Sequence, residues 1–363
     1  MSNDWLNNNR IYFYIPQKYW PSNGIPTEPN IYWHNFGGGI TPTVYAWNVQ
    51  TYQYLKAEGL SCEMVGSIPN QGIIFASRVH IPEKFKPNSQ QLVICLKAEN
   101  NIHPYAQIHI VGNDQDMELN TMLFGDRYLF PGEKYYVPHW PQPGLIPRNN
   151  NRKNTFKNVA FLGESRNLDA ELQTISWENK LNKMGLKWYL IDRDRRNCWN
   201  DFSYIDVIIA VRNLGGKTHF NWKPALKLYN AWLAGVPAIL GKESAFEAER
   251  KSELDYIEVN SLDEVLAALK LLKDNPELRQ NMIENGFKRS KEYSSAVITN
   301  NWKNLIEKKL IPAYLYWCDN PLYRQSFLLR RRLAVNTRST RKNLQQLRNK
   351  IGIRSKISNL LSR

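Results

Sequence analysis

Between Lys223 and Arg250 the chain reads KPALKLYNAWLAGVPAILGKESAFEAER. At 100° per residue Lys227 and Asn230 fall within about 40° of Lys223, while Ala225, Leu228, Tyr229 and Trp232 gather on the far side. Pro224 suits a first helical position, Gly235 suits the stop, and Val236 to Leu240 is an apolar run fit for a buried strand. A cation beside a helix N-terminus, where free amides and the dipole favour negative charge, is chemistry for a phosphate or pyrophosphate. The competing reading is that Lys223 and Lys227 are the solvated face of a surface helix, and periodicity does not choose between them. Arg212 follows another apolar run and places a two-pronged guanidinium near Lys223, suited to a pyrophosphate. Gly163, with Arg166 three residues on, leaves room for a phosphate or sugar against backbone, or makes a plain tight turn.

The run KLYNAWLAGVPAIL, followed by GKESAFEAER, YIEV and a long helical stretch, resembles the C-terminal half of GT-B glycosyltransferases of the bacterial group-1 type. The recognisable part runs from about Val159 to about Lys309. The resemblance implies a nucleotide-sugar donor site built from Gly163, Arg166, Arg212, Lys223, Lys227, Asn230, Glu243 and Ser244, with no cofactor. Ser244 with Glu247 also has the spacing of a helix cap. In the Gly-rich loop Gly37 to Gly39, Gly38 and Gly39 would meet the acceptor or the donor phosphates; a structural loop explains the three glycines equally well. Where the retaining branch usually has two Glu, this sequence has Trp222 and Asn230, which leaves retaining and inverting outcomes open.

These residues need elements to hold them. In the second half, Val159–Leu162, Trp188–Ile191, Val207–Val211, Val236–Leu240 and Tyr256–Val259 are apolar runs separated by helical patterns, which predicts a parallel, doubly wound sheet. In the first half, Ile11–Ile15, a glycine loop and a helical pattern from Val44 to Leu55 precede runs at Gly72–Ala76, Leu92–Leu96 and Ile108–Val111. These runs fit an α/β fold, and the resemblance implies two Rossmann-like doubly wound domains facing a cleft; a basic helical tail follows them. Residues 1–140 form the N-terminal acceptor domain and 157–295 the nucleotide-sugar domain. A proline-rich linker at 141–156 joins them, with Trp140 packed at the hinge. The resemblance makes 296–320 a crossover helix returning to the first domain, and 321–363 is a basic amphipathic tail.

An inverting transfer needs a base near the acceptor hydroxyl, and Glu99, His103 and Asp114 follow or flank first-half strands. Each is explained as well by a surface hydrogen bond or a helix cap. His80 and Lys97 occupy the same loops. Asp114-Gln-Asp116 and Asp192-Arg-Asp194 look like the metal-binding triplet of the other glycosyltransferase fold, but Arg193, Arg195 and Arg196 oppose a divalent cation, and no metal is expected.

Hydrophobic residues at 42% and 12 Trp with 19 Tyr describe a globular chain long enough for two cores. Cys62, Cys95, Cys198 and Cys318 are scattered, excluding a zinc or disulfide framework, and no span-length apolar stretch or leader is visible, so the expected location is the cytoplasm. The net charge of +15 is concentrated at one end: twelve Lys or Arg and no acid follow Asp319, leaving 15 − 12 = +3 for the rest. Leu344, Leu347, Ile351, Ile357 and Leu361 recur at near-helical spacing among those cations, a pattern for the inner face of an anionic membrane, a partner helix or a solvated tail. Specific nucleic acid is not expected. The reading is a glycosyltransferase moving a sugar from a nucleotide-activated donor to a saccharide or lipid-linked acceptor, in polysaccharide or glycoconjugate synthesis. The alternative is a noncatalytic, basic-tailed polymer- or membrane-surface-binding protein on the same scaffold.

Overall fold

A computed structural model of the chain describes residues 10–32, 39–117, 133–216 and 218–337. Two parallel sheets organise them. The first contains β1 (Ile11–Tyr14), β2 (Cys62–Val65), β3 (Gly72–Ser77), β4 (Gln91–Leu96), β5 (Ile108–Val111) and β6 (Glu133–Tyr136), in the order β2-β1-β3-β4-β5-β6. The second contains β7 (Asn158–Leu162), β8 (Lys187–Ile191), β9 (Val207–Ala210), β10 (Ala238–Gly241) and β11 (Ile257–Val259), in the order β11-β10-β9-β7-β8. Every residue of β3, β4 and β5 is buried, as strands covered by helices on both faces must be. The fold is the expected one of two doubly wound α/β units facing a cleft. Two strands fall outside the apolar runs: β2 (CEMV) and β6 (EKYY) are sheet edges, so only part of each is covered and charged residues are tolerated.

The segment after β6 straps one unit to the other. Trp140 is buried in the core of the first sheet, stacked on Tyr54 at 4.4 Å with its indole donating to Thr51 Oγ1 at 2.9 Å. Further along, Arg148 and Arg152 converge on the buried Asp206 carboxylate at 2.9 and 2.6 Å, which also accepts the backbone N–H groups of Lys157 and Asn158. Burial alone would raise the Asp206 carboxyl, but these donors outweigh it and hold it below the usual carboxylate range.

The chain then crosses back. Helices Ser295–Leu305 and Ile311–Asp319, joined through a wider turn at Ile306–Leu310, put Ile298, Trp302, Ile306, Leu310 and Trp317 into the core of the first sheet. A last helix covers 321–337. At the crossing, Glu249 accepts from Tyr229 at 2.6 Å, Tyr136 at 3.4 Å and Tyr293, so one carboxylate joins β6, the second unit and the return segment. The expected amphipathic residues Leu344 to Leu361 lie outside the described residues.

Candidate functional site

In each sheet successive connections leave one strand in opposite directions, β1 towards β2 and β3, and β7 towards β8 and β9. Loops diverge at such a point and leave a crevice beyond the carboxyl ends of the strands. The two crevices face each other across a cavity of about 460 Å³, within the size range of small-molecule sites. The first unit lines it with 41–46, Ser77 and Glu99; the second with Gly163, Glu164, Arg166, Arg193, Arg212, Lys223 and Lys227. Among the described residues, five Lys or Arg side chains thus face two carboxylates, Glu99 and Glu164.

The floor is most constrained at Gly163 and Lys227. Gly163 follows β7 with φ of +143°, a backbone that L side chains avoid, and a Cβ there would stand 2.8 Å from the Lys227 ammonium. Lys227 donates to the Leu162 carbonyl and lies 4.3 Å over the Phe161 ring. Burial, with Arg212 adding repulsion, lowers its ammonium to about 7. Arg212 follows β9, forms an ion pair with Glu243 and packs 5.7 Å from the Phe220 ring. Its Nε is buried without a hydrogen-bond partner among the described residues. Burial raises the Glu243 carboxyl in spite of Arg212 beside it.

The helix carrying Lys227 begins at Leu226 and not at Pro224. Phe220 at φ +50° and a turn closed from Lys223 N–H to its carbonyl bend the chain first, so Lys223 sits ahead of the helix. Ala225 is its N-cap and supplies no side-chain acceptor for the first amides. Gly235 ends the helix in the left-handed conformation, as its type suggests. Lys223 reaches across the cleft to pair with Glu99 and also contacts Asn167 Oδ1 at 3.3 Å. Asn113 Nδ2 adds bonds to the Lys223 carbonyl at 3.0 Å and to Ser244 Oγ at 2.9 Å, a second tie between the units.

Gly163, Arg166, Arg212, Lys223, Lys227 and Asn230 therefore share the cavity, with Glu99 from the other side. Among the other described candidates, His103, Asp114, Gly39, Glu243 and Ser244 do not. His103 is fully buried; its Nε2 meets the Pro82 carbonyl at 3.0 Å and its Nδ1 accepts from the Tyr105 and Ala106 amides, so it folds its own loop. Asp114 is exposed in a short helical turn outside the cavity, and Asp116 pairs with Lys97 at 2.6 Å. Glu243 and Ser244 lie behind the wall: the first holds Arg212, and the second is no cap, since Glu243 occupies that position. Gly38 lies outside the described residues. Gly39 is packed under the Tyr19 ring, with its carbonyl against His80 Nε2 at 3.0 Å, and Thr41 to Ala46 line the cavity in its place. Asn230 is committed, accepting the Gln142 amide at 2.9 Å.

Sequence reasoning passed over Glu164, Arg193 and Asn167. Glu164 holds Arg166 at 2.5 Å and Arg193 at 3.9 Å. Their signal was position, since each follows β7 or β8 at the carboxyl end. Asp192 accepts the amides of Ser165 and Arg193, and among the described residues no group of three or more His, Cys, Asp or Glu gathers to hold an ion.

No protein-family model and no curated protein matches the sequence. Solved structures do show likeness. Sucrose-phosphate synthase from Thermosynechococcus elongatus is similar over 66% of this chain and 74% of its own, at 13% identity and a TM-score of 0.46. S. aureus TarM, in complex with fondaparinux, alpha-GlcNAc-glycerol and UDP, is similar over 70% of this chain and 58% of its own, at 11% identity and 0.48. The pneumococcal O-GlcNAc transferase GtfA, in complex with UDP and GlcNAc, is similar over 71% and 59%, at 10% identity and 0.44. This chain therefore spans less than two thirds of the TarM and GtfA chains.

Proposed function

We propose that the chain is a glycosyltransferase that moves a sugar from a nucleotide-activated donor to a saccharide or lipid-linked acceptor. The observation that carries this reading is the cation floor of the cleft: Arg212 and Lys227, at the carboxyl ends of β9 and β7, close round a glycine and an uncapped helix start. That set suits a diphosphate. As the bond between sugar and phosphate breaks, negative charge grows on the leaving diphosphate. Arg212 and Lys227 would stabilise it from fixed positions, joined by the exposed Arg166, without a metal or cofactor. Of the three candidate bases only Glu99 lines the cavity, and in an inverting transfer it would take the acceptor proton once released from Lys223.

The test is thermal stabilisation by a panel of nucleoside diphosphates and sugar nucleotides, in EDTA, on the wild type and Lys227→Met. One nucleotide should raise the melting temperature of the wild type. The variant should lose about 2 kcal/mol of affinity for it, roughly thirtyfold, the size of a charge-assisted hydrogen bond. No shift with any member would favour the noncatalytic scaffold, which the Asn230 and Trp222 substitutions make the second reading.

A further inference from the structure

The last described helix, 321–337, buries Phe327, Arg331 and Ala334 against the first unit. Its opposite side is unusual. Leu322, Leu329 and Leu333 are 79%, 59% and 47% exposed, although leucine in an ordinary surface helix faces inward. At 100° per residue Leu329 and Leu333 lie within about 20° of Leu322, so the three form one ridge. Arg330 and Arg332 flank it about 80° to either side. The ridge continues into the preceding helix through Tyr316, 53% exposed, whose ring meets Tyr323 at 5.1 Å.

We propose that this leucine ridge is a docking surface for an anionic lipid bilayer. It lies at the carboxyl end of the described chain, apart from the cleft, and its evidence is independent of the glycosyltransferase reading. Charge selects the occupant. No acidic residue follows Asp319, so an apolar partner surface that also carries negative charge would satisfy leucines and arginines together. The chain's own segment after Thr337 is basic throughout and would set like charge against Arg330 and Arg332. A second copy would bring the same arginines to the same ridge. Among the described residues no helix is long and apolar enough to cross a membrane, which fits a helix lying on the interface.

The experiment is co-sedimentation of the full chain with phosphatidylcholine vesicles that contain, or lack, about a third phosphatidylserine. A triple variant, Leu322→Ser, Leu329→Ser and Leu333→Ser, removes the ridge and leaves every cation in place. A double variant, Arg330→Gln and Arg332→Gln, does the reverse. The wild type should bind only the anionic vesicles, and less as salt rises. The triple variant should bind at least tenfold more weakly, and the double variant about 25-fold more weakly, from about fivefold per charge near the surface. The three leucines and Arg332 are exposed, and the half-buried Arg330 donates to the Ser326 carbonyl of its own helix, so circular dichroism and the melting temperature should match the wild type. Wild-type binding by the triple variant would assign attachment to the cations after Thr337 alone and overturn the proposal. So would absence of wild-type binding, or a wild-type dimer in sedimentation velocity that the triple variant converts to monomer.

Discussion

Lys227 places a titrating cation at the floor of the cleft, and its lowered value carries a sign that can be checked. In the free protein the ammonium is half lost at about pH 7, against 10.5 for an ordinary lysine. Stability of the unliganded chain should therefore rise as pH goes from about 7 towards 10.5, since the unfolded state holds the proton that the folded state has released. A bound phosphate favours the ammonium, so above about pH 7 binding takes up a proton and affinity falls by up to about tenfold per pH unit. Calorimetry in buffers of differing ionisation enthalpy measures that proton, and Lys227→Met should abolish it. Arg212 is coupled differently. Arg212→Met alone leaves the buried Glu243 carboxylate uncompensated and should cost about 3 to 5 kcal/mol in denaturant unfolding. Adding Glu243→Gln should recover most of that stability without recovering nucleotide binding. At this scale the position of a cavity-lining residue was legible where residue type and strand end coincide, as at Gly163 and Arg212, or where it sits on the polar face of a helix, as Lys227 does. It misled at His103, Asp114 and Ser244, because a polar residue after a strand has the same spelling whether it faces a cleft or closes its own loop.

Elements were legible in proportion to their burial. The nine apolar runs correspond to β1, β3 to β5 and β7 to β11; the central strands among them are covered on both faces and cannot avoid apolar composition, while the edges β8 and β11 keep apolar runs although only partly buried. The edge strands β2 and β6 carry charged residues in place of such a run, CEMV and EKYY, and so lack the pattern that would mark them. The start of the Leu226–Ala234 helix was misplaced for a different reason: the turn at Phe220 is set by a positive φ on a residue without glycine's spelling. Tertiary ties do what capping motifs do not. The strap before β7 is one such case, since Arg148 and Arg152 both close on Asp206. Asp206→Ala should cost about 3 to 5 kcal/mol in urea unfolding, because it strands two guanidinium groups and two backbone amides. Asp206 is held below its usual range, so its contribution is present above the unfolded carboxylate pKa of 3.8 and is lost as pH falls below that. The wild type should therefore lose more stability than the variant on acidification below about pH 4.

At the scale of the molecule, alternation of apolar runs and helical patterns was enough to expect a doubly wound unit in the second half and the resemblance supplied the first, whereas their mutual placement rests on contacts 100 or more residues apart that no local pattern encodes. The Tyr136 to Glu249 bond, the Asn113 bonds and the Lys223–Glu99 pair are of that kind. The last of these has a kinetic reading. While Lys223 holds Glu99, the carboxylate is occupied by a cation, and an acceptor hydroxyl meets a group already in use. On the proposed function, a donor diphosphate would compete for the same ammonium, and its arrival would set the carboxylate free. Substrates should then add in order, donor before acceptor, with product nucleotide competitive against the donor alone. Initial-rate and product-inhibition patterns check this. Glu99→Gln should make the acceptor's binding indifferent to whether the donor is present, so that one ion pair across the cleft would act as the clock of the catalytic cycle.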